Sequence, residues 1–198
     1  MGANIGQSLE NFLPLGARVV AVEPQPNCIS VLKKKFGNNK NVTIIQRGVS
    51  DREEILTLSI CEDASMSSFA AKWKEGRFSK CKWKREIEIP VTTLDCLIKR
   101  FGVPKFCKID VEGFELRVLK GLSSKVPFVS FEFTKEVLDD ARLCTEHLCS
   151  LGKAKFNFSL YAKHTLYSLK WLDLKDLFKK LEAIPDEDLC GDIYVAIE

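Results

Sequence analysis

The chain has few of the residues that build metal sites. Only two histidines, His147 and His164, occur among its 198 residues, and none of its eight cysteines forms a CxxC pair. Because structural zinc sites usually draw their ligands from such pairs, the sequence predicts no metal. Cys107 and Cys144 lie inside apolar runs, where a free thiol behaves as a small buried hydrophobe. This use of cysteine favours a reducing compartment, and we expect a cytoplasmic protein.

The sequence also lacks a long apolar run and an excess of basic residues. No run approaches the roughly 18 apolar residues of a membrane-spanning helix, and the first residues do not have the basic-then-apolar profile of a signal peptide. The 30 Lys and Arg residues against 27 Asp and Glu residues give a formal net charge of only +3. Nucleic acid usually selects a more concentrated basic field. We therefore expect neither a membrane segment in this chain nor a nucleic-acid partner.

Short β-rich apolar runs alternate with helical patterns along the chain. This alternation predicts an α/β fold with a mostly parallel sheet covered by helices on both faces, and the length favours one domain over residues 1–198. Strands are predicted at 17–22, 42–46, 105–109, 128–133, 156–161 and 193–197, and helices at 25–36, 93–101, 113–122, 135–151 and 174–181. Two segments, 55–60 and 86–91, instead alternate apolar and polar residues like half-exposed antiparallel strands. Residues 61–85 between them are predicted to form a mobile surface loop that is able to cover a site.

A glycine loop at the N-terminus precedes a helical pattern. The loop reads Gly2-Ala3-Asn4-Ile5-Gly6, and Leu9, Phe12 and Leu13 follow at helical spacing. Glycines allow close approach of a ligand to the backbone, and a helix N-terminus offers unpaired N–H groups to an anion. Such a loop suits a carboxylate or a phosphate, although a plain turn has the same composition.

Acidic and small polar residues follow the predicted strands. Glu23 ends the second strand, 17 positions after Gly6, where a carboxylate accepts hydrogen bonds from both ribose hydroxyls of a nucleoside in dinucleotide-binding folds. Ser50 ends the third strand, Asp110 the fourth and Glu132 the fifth. A solvated strand end or ordinary turn chemistry is the alternative for each residue alone. Because the ends of parallel strands share one edge of a sheet, we expect Gly6, Glu23, Ser50 and Asp110 to line one nucleoside pocket.

The sequence resembles the FkbM family of methyltransferases. The resemblance rests on the glycine loop, on Val91-Thr92-Thr93-Leu94-Asp95, on Lys108-Ile109-Asp110-Val111-Glu112-Gly113-Phe114-Glu115 and on Gly191-Asp192-Ile193. It implies a Rossmann-like class I methyltransferase sheet of seven strands with S-adenosylmethionine as the methyl donor. It also implies O-methylation of a hydroxyl on a sugar, a glycan or another small molecule. By matching positions it assigns cofactor contacts to Gly2, Asn4, Gly6, Glu23, Ser50 and Asp110.

The chain departs from this family at its beginning. Family members have a full strand that ends in Asp before the glycine loop, whereas Met1 stands directly before Gly2 here. We therefore expect an N-terminally truncated domain in which the first, central strand is missing. Its two neighbours in the sheet would lose hydrogen-bond partners, and we expect upstream residues to supply this strand in a longer protein.

Methyl transfer is an in-line displacement that depends mainly on alignment, and an alcohol acceptor also gains from a base that takes its proton. Asp110, Glu132 and His164 are the candidate catalytic bases, in that order, although a surface-loop position is the more ordinary reading of His164. Trp73 and Trp83 are candidate walls of an acceptor pocket, with simple packing as the alternative.

Two other functions are compatible with these residues. A nucleotide-dependent oxidoreductase shares the glycine loop and the acid at the strand end, but the GxGxxG fingerprint is absent. A non-catalytic, methyltransferase-like binding module would keep the fold without the chemistry. Binding of labelled S-adenosylmethionine discriminates among the three functions.

Overall fold

The N-terminal part of the chain forms two parallel strands and two helices. A computed structural model describes residues 1–75, 79–161, 163 and 165–198. Helix α1 (Gln7–Phe12), strand β1 (Val19–Val22), helix α2 (Pro26–Phe36) and strand β2 (Val42–Ile45) follow one another. Strand β1 pairs in parallel with β2. Helix α2 begins with a proline in its first turn and buries Ile29, Leu32 and Phe36 on one face, as the spacing of these residues predicts.

Three strands form a second sheet in the order β3-β5-β4. These are β3 (Gly48–Val49), β4 (Ile55–Cys61) and β5 (Trp83–Thr92). Strands β4 and β5 pair antiparallel, which confirms the prediction from their alternating pattern, and β5 is longer than predicted. Helix α3 (Leu94–Phe101) follows, and the Thr93 hydroxyl caps it by accepting a hydrogen bond from the Cys96 N–H (3.0 Å).

The C-terminal part contains a four-stranded sheet in the order β6-β7-β9-β8. Its strands are β6 (Phe106–Ile109), β7 (Phe128–Thr134), β8 (Ala154–Leu160) and β9 (Cys190–Ile197), and its helices are α4 (Glu115–Lys120), α5 (Leu138–Ser150) and α6 (Leu174–Glu182). Strand β6 is parallel to β7, whereas β9 is antiparallel to both β7 and β8. Phe131, Phe133, Phe156 and Phe158 are fully buried in the main hydrophobic core.

The first residues of the chain lie between β1 and β6. The Met1 ammonium group donates a hydrogen bond to the Lys108 carbonyl oxygen (2.6 Å), and the Ala3 N–H donates to the Val22 carbonyl oxygen (3.1 Å). The described residues therefore do not form the single continuous seven-stranded sheet that the resemblance implies. Strands β1 and β6 belong to two separate sheets that residues 1–3 connect by these hydrogen bonds.

The segment between β4 and β5 is packed more closely than the sequence predicts. It contains two short 3-10 helices, Ala64–Met66 and Ala71–Lys74. The Trp73 side chain is only 3% exposed, and the Ser68 hydroxyl donates a hydrogen bond to the Glu112 carbonyl oxygen (2.6 Å). The expectation of a surface loop over the whole of 61–85 is therefore wrong, because a buried aromatic ring and this hydrogen bond attach the segment to the turn after β6.

One smaller difference concerns the start of a helix. The helix predicted at 135–151 starts with a 3-10 turn, Lys135–Val137, and becomes α-helical at Leu138. Among the described residues, no helix combines the length and apolarity that crossing a bilayer requires.

Candidate active site

A cavity opens at the carboxyl ends of β1 and β6, where α/β sheets commonly bind ligands. Its walls come from the first eight residues, the ends of β1 and β6, strand β3 and the segment after β4. The residues that line it are Met1, Gly2, Ala3, Asn4, Gln7, Ser8, Val22, Glu23, Pro24, Gln25, Arg47, Gly48, Val49, Leu58, Ala64, Ser65, Ser67, Phe69, Asp110, Val111 and Glu112.

The glycine loop turns sharply at the floor of this cavity. Gly2, Asn4 and Gly6 all have positive φ angles, of 67°, 46° and 93°. Gly2 also passes so close to β6 that a Cβ atom there would lie 1.6 Å from the Asp110 carbonyl oxygen. Gly2 and Asn4 line the cavity. Gly6 does not, because it packs against the rings and methyls of Phe36 and Leu32 in helix α2.

Glu23 is the acidic residue held most firmly at the cavity. Its side chain is 2% exposed. One carboxylate oxygen accepts a hydrogen bond from the Asn4 N–H (2.8 Å), and the other accepts one from the Gln25 N–H (2.9 Å). Burial raises the pKa of this carboxyl group, and the two N–H donors oppose the increase. A carboxylate oxygen has two lone pairs, so each of these oxygens has the capacity for a further hydrogen bond.

Asp110 stands on the opposite wall, at the end of β6. The Lys108 ammonium group contacts its carboxylate at 2.6 Å and that of Asp192 at 3.7 Å. Asp110 therefore lines the cavity as a member of a charged pair.

Two further carboxyl groups approach Asp110. One carboxylate oxygen from each of Asp110, Glu112 and Glu132 lies within 4.8 Å of the other two, so a single cation between them would contact all three. Burial, followed by the charge of Asp110, raises the pKa of Glu112 to about 8 and that of Glu132 to about 10. One oxygen of Glu132 has no hydrogen-bond partner among the described residues. Burial and the neighbouring negative charge thus favour the neutral form of Glu112 and of Glu132.

Glu112 is a cavity residue that the sequence patterns do not identify. A glutamate just before a helix is ordinarily read as a first-turn acid that the helix dipole favours. The structure instead places it at a φ angle of 55°, which directs the chain into the cavity wall. Glu115, three positions later, fits the first-turn reading better, because its carboxylate accepts a hydrogen bond from the Val111 N–H (3.0 Å).

Ser50 does not line the cavity as predicted. It is completely buried, and its hydroxyl donates a hydrogen bond to the Asp51 carboxylate (3.0 Å). Asp51 in turn pairs with Arg117 (2.6 Å) on helix α4. The expectation that Gly6, Glu23, Ser50 and Asp110 line one pocket thus holds for Glu23 and Asp110 and is wrong for Gly6 and Ser50, whose surroundings are protein atoms.

The two predicted tryptophans lie away from the cavity lining. Trp73 packs over Gly113, where an added Cβ atom would meet its ring at 2.4 Å. Trp83 lies under the Lys74 ammonium group, 5.5 Å from the ring centre. Simple packing is therefore the better reading of both tryptophans. His164 lies outside the described residues.

Comparison with known proteins places the chain in a family. The model of the methyltransferase FkbM domain matches residues 1–152. A search of the curated proteins gives no match. The crystal structure of methyltransferase FkbM from Methylobacillus flagellatus KT has the same fold, with a TM-score of 0.58 and 18% sequence identity over 98% of this chain and 41% of that chain. The present chain thus spans less than half of that protein. By its match to the domain model, the chain belongs to the methyltransferase FkbM domain family.

Proposed function

We propose that this chain binds S-adenosylmethionine in the cavity and transfers its methyl group to a hydroxyl of a sugar, a glycan or another small molecule. The observation that carries the proposal is the placement of Glu23. Two backbone N–H groups hold its buried carboxylate at the cavity wall, so it is oriented before any ligand arrives. Because no side-chain rotamers have to be ordered on binding, such a carboxylate is suited to two neighbouring hydroxyls of a ribose.

The opposite wall suits the positive charge of the donor. When bound, S-adenosylmethionine supplies an electrophilic methyl group on a sulfonium cation. Asp110 and Glu112 line this wall, with Glu132 close behind them. A sulfonium cation at this wall favours the ionised form of these carboxyl groups, and the resulting negative charge stabilises the cation most strongly where water is excluded. At the floor of the same cavity, Gly2 and Asn4 let a ligand approach the backbone closely.

The proton of the acceptor hydroxyl requires a base near the methyl group. Asp110 is our first candidate, since it lines the cavity and its carboxylate lies 2.6 Å from the Lys108 ammonium group. Burial and the charge of Asp110 raise the pKa of Glu132 to about 10, which favours its neutral form and makes it the weaker candidate for the base. His164 stays a prediction from the sequence.

The test is a calorimetric titration of the chain with S-adenosylmethionine and, separately, with NAD and NADP. We expect one molecule of S-adenosylmethionine to bind per chain and neither dinucleotide to bind. Transfer is then assayed with methyl-labelled donor and a panel of sugars and other hydroxyl compounds. Binding of a dinucleotide in place of S-adenosylmethionine would overturn the proposal, and donor binding without transfer to any hydroxyl would favour a binding module.

A further inference from the structure

Two cysteine thiols meet where β4 ends and β5 begins. Cys61 is the last residue of β4 and pairs with Trp83. The pairing continues one step further, because the Glu62 N–H donates a hydrogen bond to the Lys82 carbonyl oxygen (2.9 Å). Cys81 lies two positions before Trp83, just ahead of the first residue of β5 and beside this pairing. Both thiols are free, and the Cys61 thiol is among the groups that raise the pKa of the Cys81 thiol, so the two side chains are neighbours.

The thiol pair stands at the base of a segment that forms part of the cavity. Ala64, Ser65, Ser67 and Phe69 of this segment line the cavity. Cys61 is attached to it directly, since its backbone N–H donates a hydrogen bond to the Ser67 hydroxyl (3.1 Å). A covalent bond between the two cysteines would therefore restrain a wall of the cavity.

Several contacts hold this segment in place. The Gln25 side chain donates a hydrogen bond to the Ala64 carbonyl oxygen (2.8 Å), and the backbones of Ser59 and Ser68 exchange two hydrogen bonds (3.0 and 3.1 Å). The Phe69 and Trp73 rings pack against Phe114 and Gly113. A cross-link between Cys61 and Cys81 adds to these contacts by closing the loop between the two cysteines, which lowers the chance that the segment opens.

We propose that Cys61 and Cys81 form a reversible disulfide that holds the segment after β4 against the cavity and slows exchange of the ligand. The disulfide itself is independent of what the cavity binds, whereas its effect on ligand exchange rests on the proposed binding of S-adenosylmethionine.

The bond forms by two exchange steps with a low-molecular-weight disulfide such as oxidised glutathione. Cys81 is half-buried and Cys61 is buried, so the Cys81 thiolate attacks the oxidant first and releases one glutathione thiolate. The Cys61 thiolate then attacks the Cys81 sulfur and releases the second. The two protein thiols lose two protons and two electrons, and the oxidant is reduced to two molecules of glutathione.

The surroundings of Cys81 set the pH at which this reaction runs. Burial raises the pKa of its thiol, and the groups that face it, Cys61, Asp63 and Glu112, raise it further. Since the thiolate is the nucleophile, oxidation is expected to accelerate as the pH rises above neutrality.

The experiment treats the full chain with oxidised glutathione and maps disulfide-linked tryptic peptides without reduction. We expect a peptide pair joined through Cys61 and Cys81 and its loss after reduction. The variant Cys81→Ser should lose the pair, whereas Cys96→Ser, which removes an exposed cysteine, should keep it. A map that shows stable glutathione adducts on Cys81, or no bond between these two residues, would overturn the disulfide.

Two rates test the effect on the segment. Tryptic cleavage after Lys72 and Lys74 should be on the order of tenfold slower in the oxidised chain, because a cross-link that closes a loop restricts its opening. Dissociation of S-adenosylmethionine should slow in parallel, and it should be unaffected by glutathione in Cys81→Ser. Equal dissociation rates in both redox states would overturn the effect on exchange. Absence of donor binding to the reduced chain would instead count against the proposed function, and the peptide map would still decide on the disulfide.

Discussion

Glu23 shows how a single residue prepares this cavity for a ligand. A buried carboxylate is costly unless hydrogen bonds compensate for the lost water. Here the N–H groups of Asn4, in the glycine loop, and of Gln25, just after β1, provide two such hydrogen bonds. The same bonds fix the position of the carboxylate relative to the loop. The orientation of the Glu23 carboxylate is thus set by the protein's own hydrogen bonds.

The variant Glu23→Ala should weaken S-adenosylmethionine binding by roughly ten- to a hundredfold. The reason is the loss of charge-assisted hydrogen bonds, each worth about 1.5–3 kcal/mol. Calorimetric titration of the variant measures the loss, with thermal melting to establish that it is folded. The matched control is Glu88→Ala, which removes an exposed glutamate on β5. A folded Glu23→Ala variant with the affinity of the control would contradict the assignment.

At the scale of elements, the turn between β6 and α4 connects the cavity with the segment after β4. Glu112 and Gly113 both have positive φ angles, of 55° and 82°. The Glu112 carbonyl group accepts a hydrogen bond from Ser68, and Gly113 lies directly under the Trp73 ring. The turn therefore positions an acidic side chain and at the same time provides the surface on which the segment packs.

The substitution Gly113→Ala should destabilise this junction. A side chain at this φ angle costs about 1–2 kcal/mol, and the clash of the new Cβ atom with Trp73, 2.4 Å away, adds about 1–3 kcal/mol. Chemical denaturation followed by tryptophan fluorescence measures the change in the free energy of unfolding.

Gly16→Ala is the matched control for this substitution. Gly16 has a comparable φ angle of 75°, but no atom lies within 4 Å of the position of its Cβ. The control should show only the backbone cost of about 1–2 kcal/mol. Equal destabilisation by the two variants would contradict the packing of Trp73 on Gly113.

At the scale of the whole molecule, the buried acids make stability depend on pH. The pKa of Glu132 rises from 4.5 to about 10 on folding, so the folded state binds its proton more tightly than the unfolded state. The stability contributed in this way is fully present below the unfolded value and is lost as the pH rises through the folded value. Glu112, with a pKa raised to about 8, acts in the same direction over a narrower window.

Thermal melting should therefore shift to lower temperature as the pH rises from about 5 to about 9. The variant Glu132→Gln keeps the neutral shape of the side chain and should melt with a weaker dependence on pH. Glu88→Gln, at an exposed position, should follow the wild type. The same slope in Glu132→Gln as in the wild type would show that Glu132 does not titrate in this window.

The sequence predicts the positions that depend on local pattern. The apolar runs of β1 and β6 predict strands, and the parallel order of an α/β fold brings their ends together. Glu23 and Asp110 therefore meet at one cavity, as expected from their places after these strands.

Other features depend on contacts that no local pattern encodes. Strand β3 has only two residues, too few to show the alternation of apolar and polar residues that predicts a strand. Ser50, which follows it, donates a hydrogen bond to Asp51, and Asp51 pairs with Arg117. Trp73 lies among polar residues, so its burial comes from a distant partner, Gly113. Glu112 joins the cavity through a backbone conformation that is rare for a glutamate, and periodicity carries no signal for it.

The most direct test of this account is a crystal structure of the chain grown with S-adenosylhomocysteine, the product that methyl transfer leaves. We expect the ligand in the cavity, with its ribose hydroxyls on the Glu23 carboxylate and its sulfur towards Asp110 and Glu112. A ligand bound elsewhere on the molecule, or in the cavity with its ribose away from Glu23, would contradict the account.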